Sequence, residues 1–218
     1  MSNGRGFALN YLSNKGHSDL DVYLFGIFSG TSTKMLSNGF DRCNVKYRKL
    51  LGFDSFCGLP DESPNIPIYE KHAKGNYSAS KHFNSNNIQQ MKQIILDAVN
   101  NQKLLLVDGF YCDSLNKKLI LDFDLKPALF VDIDVDLYSS TFDVFDFMIP
   151  NKLLIPGSVI YFDDWGGCEE GTGGESRAWM ELANKYNIQY TELFSWRGGI
   201  HAQKVFKIDS LNYEERRA

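Results

Sequence analysis

"PALFVDIDVDLYSST", residues 127–141, places Asp132, Asp134 and Asp136 at alternate positions directly after an apolar run. A short, continuous apolar run bounded by turn formers reads as a strand buried on both faces, the kind found in parallel sheets. Carboxylates are seldom buried without a partner, so three of them at the tip of a core strand demand an explanation. The next apolar run, "GSVIYFDDWGG" (157–167), ends the same way, on Asp163 and Asp164.

Further strand-like runs are "DVYLFGIF" (21–28), "KLLGFDSF" (49–56) and "KLLLVDGF" (103–110), with shorter ones at 188–194 and 203–208. Helix-like stretches separate them. In "NNIQQMKQIILDAVNNQ" (86–102), Ile88, Met91, Ile94, Ile95 and Val99 recur at helical spacing and predict one apolar face. "SSTFDVFDFMIPN" (139–151) opens with Ser and Thr as expected caps and ends before Pro150, and residues 174–187 make a third helix. Strands alternating with helices predict an α/β fold with a mostly parallel sheet and right-handed crossovers. Ligands of such sheets bind beyond the carboxyl ends of the strands. There the polar residues of this chain collect: Gly26 and Gly30 after the first strand, Asp54 after the second, Asp108 and Gly109 after the third, then the aspartates. The long polar segment 57–85 has the length of a functional loop.

Composition narrows the class. The 218 residues, 43% hydrophobic and 23% charged, suffice for one domain spanning 1–218, with its core at about 20–208. The net charge of −4, with no basic run, argues against a nucleic-acid partner. No apolar stretch reaches membrane-spanning length and the first 20 residues lack a signal-peptide core, so a cytoplasmic protein is expected. Cys43, Cys57, Cys112 and Cys168 are widely spaced and predict free thiols.

The spaced glycines Gly26 and Gly30 suit a turn that approaches a ligand closely, or an ordinary strand-to-helix turn. Neither GxGxxG nor GK[ST] is present, which disfavours a standard dinucleotide enzyme and a P-loop ATPase. Asp54 suits ribose hydroxyls at a second-strand tip, or a turn cap with Ser55. Like-charged aspartates repel, and a divalent cation removes that penalty; oxygen donors suit Mg²⁺. Asp134 together with Asp163 and Asp164 is the expected ligand set if their strands are neighbours. His72 and His82, in the polar segment, could reach a substrate, but solvated loop histidines are more common.

"VYLFGIFSGTS", "LLGFDSFCGLP", "KGNYSAS", "VDGFYCDSL", the aspartate run and "GSVIYFDDWGG", in this order and spacing, resemble the macrocin O-methyltransferase-like family of S-adenosylmethionine-dependent enzymes over about residues 20–207. The resemblance implies a class I methyltransferase fold, with a seven-stranded Rossmann-like sheet closed by an antiparallel hairpin. It implies Mg²⁺-dependent methylation of a hydroxyl on a sugar or glycosylated small molecule. Carried over by residue, it places Gly26 and Gly30 around the methionine part of the cofactor and Asp54 and Ser55 at its ribose. Asp108, Gly109 and Phe110 fall beside the adenine. It makes Asp134, Asp163 and Asp164 the Mg²⁺ ligands and Asp136 the base. Asp132 is then expected to be structural, bonding backbone donors.

Leu24 departs from the family pattern, standing where an acidic residue is common at the end of the first strand. The segment before that strand is also short, which suggests an open site or a lid borrowed from a second copy of the chain in a homo-oligomer. Two other classes compete. A metal-dependent glycosyltransferase would use the DxD with a nucleotide-sugar, and a non-catalytic domain would keep only the fold. A phosphohydrolase is disfavoured because its nucleophile strand comes early in the chain.

Overall fold

The computed structural model describes residues 3–13, 18–166, 170–199 and 201–213. The strands are β1 (Asp21–Phe25), β2 (Leu50–Asp54), β3 (Leu104–Asp108), β4 (Ala128–Ile133), β5 (Val159–Phe162), β6 (Gln189–Gly198) and β7 (His201–Ser210). The helices are α1 (Asn3–Leu12), α2 (Thr31–Arg42), α3 (Ala79–His82), α4 (Ile88–Val99), α5 (Tyr111–Ser114), α6 (Lys117–Asp122), α7 (Tyr138–Met148) and α8 (Gly174–Lys185). The strands form one sheet in the order β3-β2-β1-β4-β5-β7-β6. The first five in that order are parallel, and β7 enters antiparallel between β5 and β6.

This is the predicted α/β fold with its final hairpin. The hairpin strands, ten residues each, run longer than their apolar runs, because antiparallel pairing continues through residues that face solvent. The chain order reverses between β1 and β4, so the crevice of a doubly wound sheet opens there. Registers Phe25–Ile133, Asp54–Asp108 and Ile133–Phe162 bring five strand tips to one edge.

Both sheet faces are covered, as continuous apolar strands require. Phe25, Phe53, Val131, Ile133 and Phe162 point into a cluster that includes Phe145 of α7 and Trp179 of α8. Val22, Leu24, Leu50, Phe130 and Tyr161 point the other way, with Leu9 of α1, Leu36 of α2 and Ile95 of α4. Leu24 is therefore a core residue of that second cluster. In α4, Met91, Ile95 and Val99 are buried as expected, but Ile94 is 41% exposed. The expected Ser/Thr cap of α7 is a correction. No side chain of the helix's own N-cap residue caps it. Instead the carboxylate of Glu62, from the long polar segment, accepts from the backbone N–H groups of Tyr138 (2.7 Å) and Ser139 (3.0 Å). An anion at a helix N-terminus also meets the positive end of its dipole. Cys43, Cys57 and Cys112 are free thiols, while Cys168 lies outside the described residues.

Candidate active site

A cavity of about 780 Å³ opens at the strand tips, within the size range of small-molecule sites. Of the expected site residues, Gly26, Asp54, Ser55, Gly109, Phe110, Asp134, Asp136, Asp163 and Asp164 line it. Gly30 and Asp108 do not. Gly30 is the N-cap of α2, and a Cβ there would meet Ile95 at 2.7 Å. Asp108 pairs with Lys92 of α4.

Gly26 has a positive φ of 90°, and an added Cβ would stand 1.9 Å from the carbonyl oxygen of Asp134. The glycine thus lets the loop after β1 lie directly on the tip of β4. Asp54 fixes the same loop. Its Oδ2 accepts from the N–H groups of Ile27 and Phe28, both at 2.8 Å, and its Oδ1 from Phe56 N–H at 2.6 Å. Burial raises the Asp54 pKa, against the pull of those three donors. Ser55 is turned inward as well, donating to Gly58 O and accepting from Cys57 N–H. The turn-forming role weighed for these two residues is thus the one their hydrogen bonds describe, at the wall of the cavity.

Ligand oxygens of Asp134, Asp163 and Asp164 all lie within 4.8 Å of one another, as do ligand atoms of His72, Asp136 and Asp164. Burial raises the Asp134 pKa well above its ordinary value, and repulsion from Asp163, Asp132 and Asp164 adds to it against Arg5. Asp164 is pushed up to about 7, first by burial and then by Asp136 and Asp163. Glu175 ties the two tips together. Fully buried at the start of α8, it accepts from Val135 N–H through Oε1 and from Asp164 N–H through Oε2, each at 3.1 Å. Asp136 itself has a left-handed backbone, φ 64°, a conformation uncommon outside glycine and enriched at functional sites.

Three features were missed in the sequence. The short N-terminal segment is α1, and its Arg5 meets Asp132 at 2.9 Å, Asp134 at 2.8 Å and Asp163 at 3.5 Å. Asp132 is therefore paired with a guanidinium, where backbone donors were expected. His72 is no solvated loop residue: it is 3% exposed, with Nε2 3.0 Å from Asp136 Oδ1. Glu175 carried no signal beyond its place at the start of a helix.

The chain matches the Macrocin-O-methyltransferase (TylF) family over residues 16–200, most of its length. The chain belongs to this family. Its members are O-methyltransferases, and so is this chain. Among solved structures, the calicheamicin methyltransferase CalS11 superposes with a TM-score of 0.66 at 16% identity, covering 92% of this chain and 75% of that one. The O-methyltransferase NovP gives a TM-score of 0.62 at 18% identity, covering 94% and 77%. TrmK of M. capricolum, solved with S-adenosylhomocysteine as its natural cofactor product, gives 0.51 at 10% identity, covering 100% and 72%. At these identities the likeness is one of fold. Comparison with curated proteins finds no match.

Proposed function

We propose that this O-methyltransferase uses S-adenosylmethionine and Mg²⁺ to methylate a hydroxyl of a small, sugar-like molecule. The observation that carries this is the convergence of Asp134, Asp163 and Asp164, within 4.8 Å, in the cavity that the Gly26 loop and the Gly109–Phe110 tip also line. The donor set fits Mg²⁺: it is all carboxylate oxygen and faces the cavity. Arg5 pairs with Asp132, Asp134 and Asp163, and Lys71 Nζ is 4.0 Å from Asp164. Asp136 and the buried Glu175 add to the repulsion within the cluster, which a divalent ion would relieve.

When bound, the cofactor supplies a methyl group on a sulfonium, and Mg²⁺ supplies positive charge beside the acceptor oxygen. The chain's own residues do the rest. The Gly26 loop and the tip at Gly109, which line the cavity, would hold the cofactor. Asp136 takes the acceptor proton, with His72 Nε2 3.0 Å from its Oδ1. The segment 57–85, anchored by Glu62 on α7, covers the site and excludes water. Lys71 and His201 are the only Lys, Arg or His side chains among the described cavity residues, against seven aspartates at 54, 61, 134, 136, 143, 163 and 164. A neutral or cationic acceptor suits that field better than a phosphorylated one. No described helix is long and apolar enough to cross a membrane.

A thermal-shift panel tests this, with S-adenosylmethionine, S-adenosylhomocysteine, UDP-sugars and phosphate, each with and without Mg²⁺. S-adenosylhomocysteine should stabilise the protein and give one site per chain by calorimetry. Stabilisation by a UDP-sugar with Mg²⁺, and by neither S-adenosyl compound, would point to glycosyl transfer. Asp134→Asn and Asp163→Asn should abolish turnover, with partial recovery in excess Mg²⁺. Full turnover after exhaustive chelation would remove the metal from the mechanism.

A further inference from the structure

Arg5 reaches the aspartates from behind the cavity. Neither it nor Asp132 lines the cavity, whereas Asp134 and Asp163 do. Its delivery is built into α1. A Cβ on Gly4 would stand 2.5 Å from the buried ring of Tyr161, so the helix can lie on β5 only with glycine there. Arg5 then stacks over that ring, 4.7 Å from its centroid. Its Nε lies 3.2 and 2.9 Å from the two oxygens of Asp132, its Nη2 2.8 Å from Asp134 Oδ2, and its Nη1 3.5 Å from Asp163 Oδ1. Gln203 donates to the same Asp163 oxygen at 2.9 Å. A guanidinium is planar, always charged and forked, so one side chain can orient three carboxylates where a lysine would orient one.

We propose that Arg5 is the built-in counter-ion of the aspartate cluster, a positioning residue that holds Asp134 and Asp163 at their spacing and lets the chain fold without a divalent cation. The proposal rests on the assignment of Asp134, Asp163 and Asp164 as metal ligands. Arg5 pairs with Asp134 and Asp163, and a metal held by those two carboxylates would offset the same charge, so each would stabilise the fold more when the other is absent. Removing one charge from a buried pair leaves the partner uncompensated, and here the partners are three.

The test is a thermodynamic cycle on the full chain. Melting temperatures of wild type, Arg5→Lys and Arg5→Met are compared in chelator and in Mg²⁺, at one pH. Arg5→Met should melt well below wild type in chelator, and its rise on adding Mg²⁺ should be at least about twice the wild-type rise. Arg5→Lys, keeping the charge without the fork, should fall between. An equal or smaller rise in Arg5→Met overturns the proposal. If Arg5→Met does not fold in chelator, the comparison is made on Arg5→Lys, where a rise no larger than wild type overturns it. If Mg²⁺ and Mn²⁺ shift none of the three proteins, the metal assignment itself fails and this inference falls with it.

Discussion

His72 Nε2 stands 3.0 Å from Oδ1 of Asp136, which lines the acidic cavity. The two are within ion-pairing distance, yet Nε2 has no aligned hydrogen-bond partner among the described residues. His72→Ala should lower kcat by about 10–100-fold with little change in S-adenosylhomocysteine affinity, because it removes the support of the base and not the base. Asp136→Asn should cost more, roughly 10²–10⁴-fold, with metal binding nearly intact. Wild-type turnover in His72→Ala would show that the contact is only packing.

Glu175 makes a sharper structural prediction. Its two oxygens hold the β4 and β5 tips through Val135 and Asp164 N–H groups. Glu175→Gln keeps the volume but turns an amide NH₂ toward one of those donors. Loss of that hydrogen bond should cost about 1–3 kcal/mol of stability. Because the tips carry the proposed ligands, Mg²⁺ affinity should fall about tenfold as well. Calorimetry and denaturant melts check both, and unchanged metal affinity would show that the tips are held without it.

The strand tips were legible because apolar runs ending in Asp or Gly mark the carboxyl edge of a parallel sheet, and the acidic residues at 134 and 163–164 do converge. What was illegible came from long-range partners. Arg5 is 127 residues from Asp132, and no local pattern links them. His72 and Glu62 sit in a stretch of turn formers with no period, so their burial depends on how the segment docks on α7. Asp54 could be placed at the cavity but not oriented. Whether a tip carboxylate faces ligand or backbone is decided by donors 26 and 27 residues away.

The tight seat of Gly26 predicts a large effect from one methyl. Gly26→Ala forces a Cβ onto the Asp134 carbonyl at 1.9 Å, at a φ that alanine rarely adopts. The neighbour is backbone and cannot rotate away. Destabilisation of about 3 kcal/mol or more is expected. The same displacement would move Asp134, so cofactor and metal affinities should drop together. A urea melt within about 0.5 kcal/mol of wild type would contradict so close a contact between loop and strand tip.

Asp164 gives the pH dependence of the metal-free protein. Its folded pKa, pushed up to about 7 chiefly by burial, lies above the unfolded value of about 3.9. Between those values the folded state binds more protons than the unfolded state, so stability falls as pH rises. The contribution is complete below about pH 4 and lost as pH passes through about 7. Its ceiling is about 4 kcal/mol for a shift of that size. Asp164→Asn removes the carboxyl, so the stability of wild type relative to this variant should decline steadily across that window in chelator. Metal binding has the opposite slope, because a ligand carboxylate must be ionised. Mg²⁺ affinity should rise with pH through about 7 as Asp164 ionises, and Asp134, whose pKa burial also raises, should steepen that rise. Titrations in matched buffers at about pH 5.5, 6.5 and 7.5 read this directly. A flat affinity across them would mean that Asp164 is already ionised throughout, and that Arg5 and Lys71 neutralise the cluster on their own.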